Sequence, residues 1–397
     1  MPSAGGVLVL RGSVSGLVEQ NRLLLTQASP GVPDEPEVED GFGSVLAAAN
    51  LGRGPQDDLV VGVPDEDLES GVYDGGQVHV LYGSTAGVDA TSSQVWRQNS
   101  PGIEGHAGDS DSWGSQLVTG DFDGSSYADL AIGSPSDHYH ETLEHGSGTV
   151  QVLHGSAAGL TAVGSQRWSA AMPTLAGRGH AFGFPEGMAA GDFDADGCDD
   201  LALTSIGGPR FDTAGSVTVL YGSRLGLAAA RAQTCSQDSV GIAGAPGDSE
   251  WFGSGLAVGD FGRGDYDDLV VGVGESVDAP HSGGVHIIFG GPRGLTGSSS
   301  QLWSQSSPGV PGVSEEGDDF GRDLVVADFG RNPSGRSVDD LAIAATYEVI
   351  GDTELTGSLT VLYGSDGLSS ANSRRWAPTD FGIPASGFAY FPESMTS

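Results

Sequence analysis

One acidic motif recurs five times along the chain, and its spacing limits the fold more than any other feature. The segments are ANLGRGPQDDLVV (49–61), GDFDGSSYADLAI (120–132), GDFDADGCDDLAL (191–203), GDFGRGDYDDLVV (259–271) and the longer ADFGRNPSGRSVDDLAI (327–343). Aligned on their last acidic residues, Asp58, Asp129, Asp200, Asp268 and Asp340, they lie 71, 71, 68 and 72 positions apart. A period of this size with strand-like content points to a repeat architecture, in which neighbouring units share a core.

Each repeat reads as four strands, A to D. Strand A follows an aromatic-Gly pair: Phe42-Gly43, Trp113-Gly114, Phe252-Gly253, Phe320-Gly321. Strand B is the apolar run after the acidic motif. Strand C has the form G-x-V-x-V-L-x-G-S at 76–84, 148–156, 215–223 and 357–365, with 284–291 a variant. Strand D ends on Trp96, Trp168, Trp303 or Trp376, with Cys235 where one Trp is missing. Alternation in strand C, Val217 and Val219 against Thr218 and Leu220, predicts one face more buried than the other. The Trp and Val positions are expected to form the core between blades.

With 66 glycines and little helical periodicity, the expected fold is an all-β propeller of four-stranded blades. The boundaries read as one domain over 1–397, with complete blades at 41–100, 112–172, 181–240, 251–307 and 319–379. Residues 1–30 supply only a strand C (5–17) and a strand D (23–30), and 380–397 only the start of a strand A. FPESM at 391–395 mirrors FPEGM at 184–188. Either a sixth, split blade closes from both termini, or the sequence is a fragment of a longer, seven-bladed protein. The fragment reading is favoured, because complete propellers avoid open sheet edges.

The motif at 191–203 also carries chemistry. Asp192, Asp194, Asp196 and Asp200 stand at relative positions 1, 3, 5 and 9, with Gly197 at position 6. Alternate side chains of a tight loop converge, and with the Cys198 carbonyl they make the oxygen-rich shell that Ca²⁺ prefers. Position 12 is Leu203 rather than the Glu of an EF-hand, so the loop belongs to a β-hairpin.

The net charge of −37, with arginine the sole basic residue type, argues against a nucleic-acid binder. No apolar run reaches the roughly 18 residues of a membrane span, so no membrane insertion is expected, and the chain is read as a monomer. Cys198, in the A–B loop, and Cys235, on strand D, are separated by about three strand spacings of roughly 4.8 Å. That exceeds disulfide reach, about 7 Å between Cα atoms. The N-terminal MPSAGG shows no signal peptide.

The Phe-Gly pairs, the Asp-rich loops and the Gly-x-Pro segments (Gly62-Val63-Pro64, Gly133-Ser134-Pro135) resemble the FG-GAP repeat of the integrin α-subunit propeller, over nearly the whole chain. The resemblance implies calcium loops between the first two strands of certain blades, on the face opposite the ligand surface. It carries a second ligand set onto Asp121, Asp123, Ser125, the Tyr127 carbonyl and Asp129. The other loops depart from the pattern: Asp260 and Asp268 keep Asp265 but have glycines at positions 3 and 5, Asn50 and Asp58 flank Gly52 and Gly54, and Asp328 to Asp340 carries an insertion. Tight calcium binding is not expected at these three. Secreted bacterial propellers are closer in composition, and the implied localisation is extracellular.

The expected function is therefore a calcium-stabilised binding or adhesion module, taking a protein or glycan ligand on the B–C loops (64–76, 135–148) and D–A loops (98–113, 304–320). The rival is a hydrolase, or the non-catalytic propeller of one. The run DHYHETLEH at 137–145 gathers His138, His140 and His145 but misses the H-E-x-x-H spacing, and reads as a solvated loop. Arg263-Gly264-Asp265 falls inside an acidic loop and reads as filler. No G-x-S-x-G elbow or phosphate loop occurs.

Overall fold

Runs of Val, Leu, Ile and Ala, broken by glycine turns, form antiparallel sheets joined by hairpins. The computed structural model describes residues 3–14, 16–68, 71–137, 148–170, 172, 184–205, 214–244, 250–274, 281–330, 338–350, 356–382 and 391. Among these residues there are five four-stranded sheets and one two-stranded sheet. The fold class is an all-β propeller of four-stranded antiparallel blades. By contacts the chain divides into two compact units.

The first unit holds the hairpin β1 (Val7–Ser13) and β2 (Gly16–Leu25). Its first complete blade is β3 (Val45–Ala49), β4 (Asp58–Val63), β5 (Gln77–Ser84) and β6 (Gly87–Trp96). The next is β7 (Gln116–Gly120), β8 (Asp129–Ser134), β9 (Thr149–His154) and β10 (Thr161–Trp168). The second unit has β11 (Met188–Gly191), β12 (Asp200–Ser205), β13 (Ser216–Tyr221) and β14 (Ala228–Cys235). It continues with β15 (Phe252–Gly259), β16 (Asp268–Val273), β17 (Gly284–Phe289) and β18 (Thr296–Trp303). Its last blade is β19 (Phe320–Ala327), β20 (Asp340–Ala345), β21 (Ser358–Gly364) and β22 (Leu368–Trp376).

Register fixes the acidic loops. In each complete blade the last residue of the first strand pairs with the aligned aspartate: Ala49 with Asp58, Gly120 with Asp129, Gly191 with Asp200, Gly259 with Asp268 and Ala327 with Asp340. All five acidic motifs therefore sit at the same end of their sheets, between the first and second strands.

Two expectations need correction. The alternation expected in strand C is absent as burial: every residue of β9 and β17 is buried, and so is every residue of β13 after Ser216. Each central strand has a neighbouring blade or its own loops on both faces, so threonine and leucine are covered alike. The expected core between blades forms: Val78, Val80 and Val285 are buried in it, and the partly buried Trp96 and Trp303 pack against it. The largest sealed side chains include the aromatics that open strand A, Phe42, Trp113, Phe252 and Phe320, at 0–1% exposure, together with Tyr221 of strand C and the loop residues Phe122, Phe193 and Phe261. Each such burial is worth about 1.5–3 kcal/mol. Finally, the fourth strand of the N-terminal hairpin starts at Gly16 rather than at Leu23, because Arg11–Ser13 pair directly with Gly16–Val18.

Neighbouring blades meet where a glycine opens strand C. Gly76 has φ +79°, and a Cβ there would lie 2.3 Å from the Trp113 carbonyl oxygen, so only glycine fits. The same contact recurs between Gly215 and Phe252, Gly283 and Phe320, and Gly357 and Phe391. Cys198 and Cys235 are both buried and not joined in a disulfide, as their strand positions require.

Candidate metal centre

The aligned aspartates do the same structural work in every complete blade. One oxygen of each accepts the backbone N–H at loop position 2: Leu51, Phe122, Phe193, Phe261 and Phe329, at 2.9–3.1 Å. The other accepts the N–H of the glycine that closes strand C: Gly83, Gly155, Gly222, Gly290 and Gly364, at 2.7–2.9 Å. Each carboxylate thus staples its loop to the third strand while sealed from water. Burial raises the pKa of all five, up to about 8 at Asp200 and about 7 at Asp268.

Two of the five loops add further acids. In the β11–β12 loop, carboxylate oxygens of Asp192, Asp194 and Asp200 come within 4.8 Å of one another. Asp192 is held by the N–H groups of Asp196 (3.1 Å) and Gly197 (2.9 Å), a wrap that uses the left-handed backbone of Ala195 (φ +55°) and Gly197 (φ +83°). Asp194 Oδ2 pairs with Arg231 at 2.5 Å, but Asp194 Oδ1 is buried with no hydrogen-bond partner. Burying one bare carboxylate oxygen beside two other acids costs free energy that a divalent cation removes. The residues therefore fit a calcium ion. Asp196 stands outside this trio, with Oδ1 accepting the Cys198 N–H at 3.0 Å.

The β7–β8 loop follows the same path, with positive φ at Gly124 (+65°) and Ser126 (+74°). Asp121 is gripped by the N–H groups of Ser125 and Ser126, both at 2.8 Å. Ser125 is exposed, and its hydroxyl faces the Tyr127 backbone at 3.3–3.4 Å. The cluster that forms is not the one expected: it joins Asp123 and Asp129 to His154, at the end of β9. Sequence reasoning missed His154. The aligned residues are Tyr82, Tyr221, Phe289 and Tyr363, so the break in an aromatic column was the available signal.

In the remaining loops the structure brings no third acid to Asp260 and Asp268, or to Asp328 and Asp340, among the described residues. Asp265 is exposed. Position 1 instead makes a short turn onto a glycine N–H: Asn50 to Gly52, Asp260 to Gly262, Asp328 to Gly330. The next residue is arginine in two described loops, and it stacks on the strand C aromatic. Arg53 lies 3.9 Å over Tyr82 and Arg263 lies 3.7 Å over Phe289. Arg53 also donates to the carbonyls of Ala158 (2.9 Å) and Ser92 (2.6 Å). Arg263 likewise reaches beyond its own loop, to the carbonyls of Ser299 (3.2 Å) and Asp366 (3.4 Å). His138, His140 and His145 lie outside the described residues.

The opposite sheet ends carry acids that the sequence reading passed over. Gln27, Gln98 and Gln305, each just after a fourth strand, donate to Glu66, Asp137 and Glu348 of the following blade at 2.6–3.0 Å. Arg167 and Arg375 add ion pairs to Asp137 and Glu348. The recurring Q-x-S motif at 27–29, 98–100, 237–239 and 305–307 was the visible sign. At this end the second unit has a half-open pocket of about 160 Å³ lined by Glu186, Trp251, Ser254, Asp319 and Arg322. Trp251 is 45% exposed and has φ +45°, which is strained for a bulky residue. The Ser254 hydroxyl is buried without a partner.

No protein-family model matches the chain. It is similar to the phosphatidylinositol-glycan-specific phospholipase D of Rattus norvegicus, 30% identical over 164 residues, which is 41% of this chain and 18% of that protein. The Mus musculus protein of the same name is 29% identical over 164 residues. Integrin alpha-PS2 of Drosophila melanogaster is 31% identical over 134 residues, 33% of this chain and 9% of that protein. The matched part thus spans 18% or less of the length of these relatives.

Proposed function

The chain is an FG-GAP-like β-propeller, and we propose that it acts as a calcium-stabilised extracellular binding module. The observation that carries the calcium part is the buried, bare Asp194 Oδ1 beside Asp192 and Asp200. Calcium here is structural. It adds two positive charges to the three acids that, among the described residues, Arg231 alone offsets at the hairpin end, and because it binds the folded loop its binding free energy adds to stability. Asp192, Asp194 and Asp200 hold the ion, and the Cys198 carbonyl is the remaining donor of the expected set.

The ligand surface is the opposite end of the sheets, and the Trp251 pocket supports a glycan there. An exposed indole face stacks on a sugar ring, while carboxylates and a guanidinium fix hydroxyl groups. Arg322 and Asp319 already form a 3.1 Å pair that orients both. A glycan array read with the intact protein and with Trp251→Ala tests this. Binding that survives the substitution unchanged rejects the pocket. A second reading, the non-catalytic propeller of a hydrolase, draws on the similarity to the phospholipases. Turnover of phosphatidylinositol-glycan or glycan substrates by the chain alone would contradict both.

A further inference from the structure

The β7–β8 loop differs from the calcium-type loop in one chemical respect, and that respect concerns nitrogen. His154 is 9% exposed and ends β9 directly beneath the loop. Its Nε2 faces the Gly164 carbonyl at 3.2 Å. A carbonyl only accepts, so Nε2 carries the hydrogen and Nδ1 is the atom that faces the loop on the other side. That nitrogen is sealed from water and lies 3.2 Å from Asp129 Oδ2 and 3.6 Å from Asp123 Oδ2, an ion pair when a proton sits on Nδ1. Three donor atoms converge on one point there, and a divalent cation can take the place of that proton and serve both carboxylates at once.

We propose that Asp123, Asp129 and His154 form a site for a d-block divalent cation of the zinc class, distinct in metal preference from the Asp192–Asp194–Asp200 loop. Three observations favour such a metal over calcium. Calcium takes six to eight oxygen ligands, whereas imidazole nitrogen suits zinc and its neighbours. Metal–ligand bonds of about 2.0–2.1 Å at a tetrahedral centre put donors about 3.3 Å apart, and the two measured separations bracket that value. The histidine's far nitrogen is anchored on a backbone carbonyl, the arrangement that fixes the ring of a metal-bound histidine. Solvent completes the coordination on the loop side, where Ser125 is exposed.

The inference rests on reading the acidic loops as cation sites, and its test separates the two metals. The full chain, stripped with chelator and carrying His138→Gln, His140→Gln and His145→Gln, is titrated with Co²⁺, Zn²⁺ and Ca²⁺ separately. Co²⁺ should give the intense visible bands of a tetrahedral centre with a nitrogen ligand, displaced by Zn²⁺ and not by equimolar Ca²⁺. His154→Tyr installs the residue found at Tyr82, Tyr221 and Tyr363, so the blade keeps its usual packing. It should weaken Co²⁺ and Zn²⁺ binding at least about tenfold, and Asp123→Asn should do likewise. Equal affinity in His154→Tyr, or weak bands typical of all-oxygen octahedral Co²⁺, overturns the proposal, as does nitrogen NMR showing His154 doubly protonated with Zn²⁺ present. Asp194→Ala is the separate arm. If it alone loses a calcium effect while Co²⁺ still binds, both readings hold. If Ca²⁺ has no effect anywhere but His154 binds Co²⁺, the calcium reading alone fails.

Discussion

The loops at 192–200 and 260–268 share a fold and differ in how they handle charge. Both hang from a sealed aspartate, Asp200 or Asp268, that accepts two backbone N–H groups. The first then gathers Asp192 and Asp194 around a buried bare oxygen, an arrangement that suits an added cation. The second replaces the position 3 acid with Gly262 and follows it with Arg263, whose guanidinium lies over Phe289. The first loop is met by Arg231 from the fourth strand at only one oxygen of Asp194, whereas the second carries a guanidinium in its own sequence. The hairpin is therefore not held by metal as such: the staple is common, and the cation is the variable part.

The largest test of that division removes the staple where no metal is expected. Asp268→Ala leaves two buried N–H groups without acceptors, each costing about 1–3 kcal/mol. We expect a loss of about 2–4 kcal/mol in chemical denaturation, the same with calcium and with chelator. A loss that calcium reverses would place an ion in this loop as well.

Next in size is the calcium effect itself. At a free concentration 100 times its dissociation constant, one ion adds about 2.7 kcal/mol. Thermal melts of the intact chain should show a gain of this order, Asp194→Ala should abolish it, and Asp260→Ala should leave it in place. If Asp260→Ala blunts the gain equally, the two loops are not different in kind.

The sealed staple also predicts a pH dependence. Burial raises Asp268 to about 7 from an ordinary 3.8, so the folded chain holds this proton more tightly than the unfolded chain. The stability is fully present below the unfolded value and is lost as pH rises through about 7. The slope for one proton is at most about 1.4 kcal/mol per pH unit. Asp268→Asn should flatten the profile between pH 4 and 7 in saturating calcium, where Asp200 is already compensated. An unchanged profile would assign the slope to another acid.

Smallest is the arginine. Arg263→Ala removes a partly exposed stack on Phe289 and a 3.2 Å bond to the Ser299 carbonyl. About 1 kcal/mol is expected, independent of calcium. A sign reversal in the presence of calcium would mean that the guanidinium had been excluding the ion.

Much of this was legible in the sequence, because it is periodic. The interval between Asp58, Asp129, Asp200, Asp268 and Asp340 carried the blade count of the complete repeats. What stayed hidden depends on contacts across strands. His154 lies 25 positions beyond Asp129, and only the pairing of β8 with β9 brings them together. Trp113 and Trp96 look alike as letters, yet one opens a strand against the preceding blade's glycine and is sealed, while the other closes an outer strand and is only partly buried. The Gln98–Asp137 clasp likewise joins two blades, so no single repeat contains it.

The seam at the loop end has a consequence in time. The Asp192 carbonyl accepts the Asp267 N–H at 3.1 Å, and its own N–H is taken by Asp267 Oδ2 at 2.9 Å. Asp260 is closed in the same way by Asp339, and the Asn50 carbonyl by Ala128 N–H. Each loop is finished by a residue synthesised roughly one repeat later. A growing chain therefore holds an open clasp at its newest blade and a shut one behind it, and the ion-binding loop matures only when its successor arrives. Nascent chains halted just before Asp267 should take up calcium more weakly than chains halted after β18, and equal uptake would show that the loop closes on its own.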